Sequence, residues 1–385
     1  MSIPAVPVRR DHDTASPSVA TVMTDRIRAN TQRMRAFTTA PVMAVVKADG
    51  FGLGAVPSAR AALAGGAAEL GVATCEEALA LRAAGIDAPI TAWLLYPDAP
   101  IEQAIRAGIQ LSCASLEQLE QVGAAADRVG RRARIELECE TGLNRSGCPP
   151  EQWTALCLAV RQAIDAGQVD LRGIWTHFAH DGDDPGAYAE PLARLERARA
   201  VARDCGLVPG RQHAAASLAT VLALRTHLDL VRLGASLFGV EPVPSRPLGL
   251  EAVVRWTTAV AQVRTVPTGE GVGYGGRHRS AAPSRLALIP VGYADGVPRD
   301  AAKGLDVLVG GRRCPIVGAV SMDQSIVDVT GASVDAGDPV VLIGDGRAGE
   351  PTLHEWASTM GTIPQELLTG LGSRVVRHHV AEVAA

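Results

Sequence analysis

From about Pro41 the chain repeats a single phrase: a short apolar run, a turn, then a stretch with helical spacing. Parallel strands need a crossover between them, so this phrase commits the chain to parallel strands covered by helices. Eight such runs can be counted: PVMAVVK, ELGVAT, ITAWLL, QLSCAS, RIELECE, LRGIWTHF, RQHAAAS and DLVRLGA. Thr74 stands three residues before Glu77 and Ser115 three before Gln118, a spacing that lets side chains satisfy the free N–H groups of a helix start. Gly85 is a natural stop for the first of these helices. An open doubly wound sheet has similar local grammar, but eight units favour a closed (β/α)8 barrel of the TIM type.

After about Val243 the grammar changes to alternating or β-branched runs such as VVRWTTAVAQVRTV, RLALIPVGYA, DVLVGGRRCPIVGAV and SIVDVT. Gly310-Gly311 between two runs signals a hairpin, and one late helix is expected near HEWASTM. The expected α/β organisation is a flexible tail at 1–16, a barrel over 17–243 and a mainly antiparallel β domain over 244–385.

The net charge of -4, from 37 basic and 41 acidic residues spread along the chain, disfavours a nucleic-acid partner. No apolar stretch at the N-terminus suffices for a signal peptide or a membrane span. Seven cysteines without CxxC pairs argue against a disulfide framework and a structural zinc site, so no metal is expected and a reducing cytoplasm fits best.

Lys47, after PVMAVV and before ADGFG, falls at the C-terminal end of the first barrel strand, the face where barrels keep their active sites. A solvated strand-end lysine is the plainer reading; the functional one is a Schiff-base lysine whose amine is activated by desolvation. The loops after the last two strands, where barrels often bind phosphate, hold Ser217, Gly234 and Ala235, which tight turns explain equally well. Arg232 and Arg145 point to the same face, and His177 in GIWTHF reads first as a core histidine. In the β region GVGYGG sets Tyr274 between glycines, and VGYADG and SMDQ hold Tyr293, Met322 and Asp323, which short loops also explain.

Together these segments resemble the alanine racemase family from about Ser18 to Arg377. AVVKADGFG looks like its cofactor-lysine signature, and ETGLNRSG, GIWTHFA, VRLGASLFG, GVGYGG, IPVGYADGVPR, IVGAVSMDQ and GTIPQE match further blocks in the same order. The resemblance implies a pyridoxal 5'-phosphate enzyme that interconverts L- and D-alanine for cell-wall precursors. It also implies a head-to-tail homodimer whose active sites join the barrel of one subunit to the β domain of the other. Lys47 would hold the cofactor and act on the D-face, and Tyr274 of the partner chain would act on the L-face. Ser217, Gly234 and Ala235 would hold the phosphate, and Arg232 would donate to the pyridine nitrogen. His177, linked to Arg232, would steady the tyrosine anion. Arg145, Met322 and Asp323 would fix the substrate carboxylate, with Tyr293 at the entrance.

Several positions depart from the family pattern. Phe51 and Gln365 stand where tyrosines usually contact the phosphate, Ala216 replaces a common asparagine, and Glu138 takes the place of a carbamylated lysine. A carboxylate at 138 is expected to pair with Arg145. These departures keep open a racemase for serine or another larger amino acid in specialised metabolism, and a cofactor-binding protein without turnover. The retained Tyr274 and Arg232 disfavour decarboxylation or retro-aldol cleavage.

Overall fold

The structure, a computed structural model, describes residues 17–381. The tail expected over residues 1–16 lies outside that range. The chain forms two compact units, one running from Asp25 to Glu251, the other joining the chain up to Thr24 with the chain from Ala252 onward.

Strand β1 (Ser18–Met23) opens the described chain. The first unit then carries β2 (Val42–Val45), β3 (Glu69–Val72), β4 (Ile90–Ala92), β5 (Gln110–Cys113), β6 (Ala133–Glu138), β7 (Val169–Trp175), β8 (Arg211–His213) and β9 (Val231–Leu233). These are the eight runs read from sequence, all paired in parallel in the order β8-β7-β6-β5-β4-β3-β2-β9. A bridge between His213 and Leu230, with the Asp229 N–H donating to Gln212 O at 3.0 Å, joins the two ends and closes the barrel.

β2, β4 and β5 are buried along their whole length, as strands covered on both faces must be. The helices begin as their sequences dictate: Thr74 and Glu77 form a reciprocal capping box before Cys75–Ala83, and Ser115 caps Leu116–Val129. At Gly71 a Cβ would lie 2.6 Å from the Trp93 ring and 2.8 Å from Met43 Sδ, so only glycine leaves space for the indole inside the barrel wall.

The second unit holds β10 (Val254–Ala259), β11 (Gln262–Val266), β12 (Gly271–Val272), β13 (His278–Arg279), β14 (Ser284–Ile289), β15 (Asp306–Val309), β16 (Arg312–Val317), β17 (Ser325–Asp328), β18 (Pro339–Ile343) and β19 (Val376–Val380). Nine strands form one sheet in the order β11-β14-β17-β16-β15-β18-β10-β1-β19, while β12 and β13 pair separately. All neighbours are antiparallel except β1 and β19. Gly310 and Gly311, at φ 56° and 73°, turn β15 into β16, a hairpin geometry that side chains resist. The late helix is Leu353–Met360, opened by a Thr352–Glu355 capping box.

The unit boundaries differ from the division at 243/244. β1 pairs with β10 and β19 rather than leading into the barrel, and its alternating burial suits a sheet with one wet face. The barrel unit extends to Glu251, because Asn30 holds that residue's backbone from both sides: Glu251 N–H donates to Asn30 Oδ1 (2.8 Å) and Asn30 Nδ2 donates to Glu251 O (2.9 Å).

Candidate active site

Lys47 lies immediately past the C-terminal end of β2, where sequence placed it. The residue is solvent-accessible, yet the protein around it lowers its pKa, by desolvation first and then by the Arg145 charge, with Glu77 opposing and Arg232 adding to the depression. An amine so tuned is neutral more often than a free lysine and can attack a carbonyl.

Arg232, on β9, is buried and held through both terminal nitrogens. Its Nη1 donates to His213 Nδ1 at 2.8 Å, and its Nη2 donates to Thr176 O (2.9 Å), Ala214 O (2.8 Å) and His177 Nδ1 (3.0 Å). Its guanidinium carbon sits 5.0 Å from the centre of the Trp175 ring. Burial lowers its pKa to about 10, and it remains a cation. Guanidinium has only donors, so both histidines must accept at Nδ1 and carry their proton on Nε2. His177 is thereby kept neutral: desolvation, then Arg232, Arg145 and Lys47, push it down to about 3. His177 lies just beyond β7 rather than inside the strand.

Behind Arg232 runs a buried polar chain. His213 Nε2 donates to Glu136 Oε2 (3.1 Å), whose other oxygen accepts from Arg211 Nε at 2.6 Å, and Arg211 continues to Glu69. Burial alone would raise the Glu136 carboxyl, but the hydrogen bond from neutral His213 and the charge and hydrogen bond of Arg211 hold it at about 2. Arg211 thus bridges the buried Glu136 and the partly buried Glu69, and His213 relays the Glu136 carboxylate to Arg232.

Ser217 opens the short helix Ser217–Leu222 after β8. Its hydroxyl accepts from Gly234 N–H (3.3 Å) and from Ser236 Oγ (3.0 Å), drawing the loops after β8 and β9 together. Gly234 and Ala235 follow β9 directly, and a Cβ at Gly234 would stand 3.3 Å from Phe51 Cζ. Phe51 is buried against Phe238, with ring centroids 4.6 Å apart. Ala216 precedes the helix as its N-cap and offers no side-chain cap.

The expected pairing of Glu138 with Arg145 does not form. Glu138, at the end of β6, is buried and accepts from Ser146 Oγ at 2.9 Å, whereas Arg145 lies exposed on the loop that follows. The shorter reach of a carboxylate is met by a neighbouring hydroxyl; burial then raises the Glu138 pKa, with the Arg145 and Arg232 charges acting in opposition.

The remaining candidates belong to the second unit. Tyr274 begins a short turn between β12 and β13, flanked by Gly273, Gly275 and Gly276 at positive φ, and is 66% exposed. Tyr293 and Met322 occupy two loops zipped together by Tyr293 N–H to Ser321 O and Ala294 N–H to Met322 O, each 3.0 Å. Asp323 accepts from Arg374 Nη1 at 2.6 Å, and the same guanidinium holds Asp295. Gln365 is partly buried, and its Oε1 has no hydrogen-bond partner among the described residues.

Glu136, His213, Arg211, Thr176 and Ser236 were missed in the sequence. The signal available was charge at inward positions of otherwise apolar runs: RIELE and RQH carry ionisable groups where a barrel strand should bury them. Among the described residues no group of three or more His, Cys, Asp or Glu could hold a metal ion, and no helix is long and apolar enough to cross a membrane.

The chain matches the family model described as alanine racemase, N-terminal domain, over residues 22–242, and that of the C-terminal domain over residues 253–379. It is 44% identical over 347 residues to an alanine racemase of Frankia casuarinae, spanning 89% of this chain and 90% of that one. It superposes on an alanine racemase of Streptomyces lavendulae with a TM-score of 0.93 at 42% identity, over 96% of this chain and 99% of the other. An alanine racemase of Bartonella henselae with covalently bound pyridoxal phosphate superposes with a TM-score of 0.85 at 30% identity, over 95% and 100% of the two chains.

Proposed function

This chain belongs to the alanine racemase family across both of its domains, and we propose that Lys47 holds its pyridoxal phosphate while Tyr274 of a second copy works on the opposite face of the substrate. The reaction is the interconversion of L- and D-alanine, an isomerisation. The cofactor, when bound, supplies a conjugated electron sink that makes the α-proton of an amino acid acidic enough to leave.

The residues present fit that group, and the observation that carries the reading is Arg232. A buried guanidinium anchored through Nη1 and Nη2 has no protein partner for its Nε–H among the described residues, which leaves a donor for a ring nitrogen. A guanidinium there would donate to a ring nitrogen without surrendering its own proton, and so would temper the electron sink that the cofactor supplies when bound. The Lys47 amine suits an aldehyde, and the Ser217 hydroxyl with the backbone of Gly234 and Ala235 suits a phosphate.

Inversion needs a proton removed from one face and returned to the other. Lys47, as a free amine, would take or give the proton on the D-face. Tyr274 serves the L-face, and the His177 Nε2–H, fixed by Arg232, is the donor that steadies its anion. Arg145 holds the substrate carboxylate, aided by the backbone N–H groups around Met322 and Asp323 of the second copy, and Tyr293 limits side-chain size. A homodimer with shared sites is supported by the exposure of Tyr274 (66%) and Met322 (53%) on glycine-shaped or doubly hydrogen-bonded loops, where a solitary chain has no use for them. Seven free cysteines support a cytoplasmic setting.

Incubating the purified protein with a panel of L-amino acids in D2O tests the reading. Alanine should gain α-deuterium fastest and yield the D-enantiomer. Preferential exchange of serine or a larger amino acid would replace the substrate, and a borohydride-reducible cofactor bond without exchange of any amino acid would leave a binding protein.

A further inference from the structure

The segment that presents Lys47 has an unusual backbone. Ala48, Asp49, Gly50, Phe51 and Gly52 all lie at positive φ, between 50° and 79°. Three of them carry side chains, and the left-handed region costs such residues roughly 1–2 kcal/mol each. Internal bonds support the turn: Gly50 N–H reaches Val46 O at 2.9 Å, Gly52 N–H reaches Ala48 O at 2.7 Å, and Asp49 Oδ1 accepts from Ala55 N–H at 2.8 Å. The Ala48 N–H, next to the lysine, is satisfied from outside. It donates to Glu77 Oε1 at 2.6 Å.

Glu77 is also the capping-box residue of the helix after β3. Its Oε2 accepts from Ala73 N–H (2.8 Å) and Thr74 N–H (3.3 Å), so that oxygen alone completes the cap. Oε1 is left over for the neighbouring loop. One carboxylate therefore ties the loop after β3 to the loop after β2.

We propose that Glu77 is the positioning residue for Lys47, clamping the left-handed turn through Ala48 so that the amine keeps its place at the end of β2. The proposal rests on Lys47 being the cofactor lysine. A carboxylate in that place also acts on the amine itself, opposing the desolvation and the arginine charges that strip its proton, and so preserves a base able to take up the substrate's α-proton.

A helix cap alone would explain the Oε2 bonds, and Thr74→Ala separates the two roles: it removes the Thr74 hydroxyl that accepts from Glu77 N–H while leaving Ala48 untouched. Glu77→Gln, Glu77→Asp and Thr74→Ala are compared with wild type in two assays. Cofactor-free protein is labelled with trinitrobenzenesulfonate across pH, and modification of the Lys47 peptide is read by mass spectrometry. Separately, pyridoxal phosphate is titrated in, reduced with borohydride, and the modified peptide mapped. Glu77→Gln should move the Lys47 labelling midpoint to lower pH and weaken cofactor retention about tenfold, the equivalent of one lost charge-assisted bond. Glu77→Asp keeps the charge but not the reach, so it should weaken retention with a smaller change in labelling. Thr74→Ala should match wild type in both.

If Glu77→Gln or Glu77→Asp folds yet labels and retains cofactor as wild type does, or if Thr74→Ala shifts Lys47 as far as they do, Glu77 is only a cap. If the wild-type adduct maps to another lysine, the assignment of Lys47 fails first, and the clamp with it.

Discussion

Arg232 Nη1 meets His213 Nδ1 at 2.8 Å, and this contact settles the protonation of a histidine that in turn donates to Glu136. The cation behind the proposed ring-nitrogen contact is therefore steadied by a carboxylate it does not touch. Replacing Glu136 with Gln leaves Arg211 and His213 facing a neutral amide in a dry interior. Breaking such a buried pair costs about 3–5 kcal/mol. Urea unfolding should show that loss, and a change below about 1 kcal/mol would mean that water reaches the pair.

Acid should destabilise the fold in two stages. His177 sits at about 3 instead of 6.5, so between those values the unfolded chain binds a proton that the folded chain refuses, and stability falls as pH drops through that window. Glu136, held at about 2 instead of 4.5, adds a second loss below 4.5 for the same reason. Each group contributes at most ~1.4 kcal/mol per pH unit. Thermal unfolding of His177→Asn should vary less than wild type between pH 6.5 and 4.5; an unaltered slope would show that His177 is protonated in the native protein.

Tyr274→Phe removes the phenol without altering the glycine turn around it. Racemisation should slow by about 10²–10⁴-fold, the usual worth of a positioned acid-base group. Exchange of the α-proton of D-alanine with solvent should persist, because Lys47 serves that face. Equal loss of exchange from both enantiomers, followed by NMR in D2O, would remove the division of labour between the two residues.

Phe51→Tyr restores a hydroxyl on a ring that already lies against Gly234, beside the Ser217 hydroxyl. One added bond to a charged group should tighten cofactor binding by about tenfold or more. Equilibrium titration of cofactor-free protein measures it. Unchanged affinity would mean that the ring edge is turned away from the phosphate.

The barrel was legible because its strands are short apolar runs at regular spacing, and Thr74, Ser115 and Gly310-Gly311 carry local chemistry that needs no tertiary context. Lys47 and Gly234 follow the ends of β2 and β9, Ser217 lies in the segment after β8, and Arg232 lies within β9, each in the run expected for it. What failed was long-range. Nothing near Ser18 says that its partners are Thr258 and, through Val19, Val376. Glu138 was expected to pair with Arg145 because it stands where relatives carry a carbamylated lysine, but its carboxylate accepts from the Ser146 hydroxyl instead. The chain through Glu136 and His213 joins β6, β8 and β9, and such a network exists only after the barrel closes.

The place of β1 between β10 and β19 also bears on how the protein is made. A six-residue strand, apolar on one side, leaves the ribosome ahead of the entire barrel, yet its hydrogen-bonding neighbours are synthesised only afterwards, the last of them near the C-terminus. Its early exposure is a hazard for aggregation, and the sheet cannot finish assembling until β19 has been made.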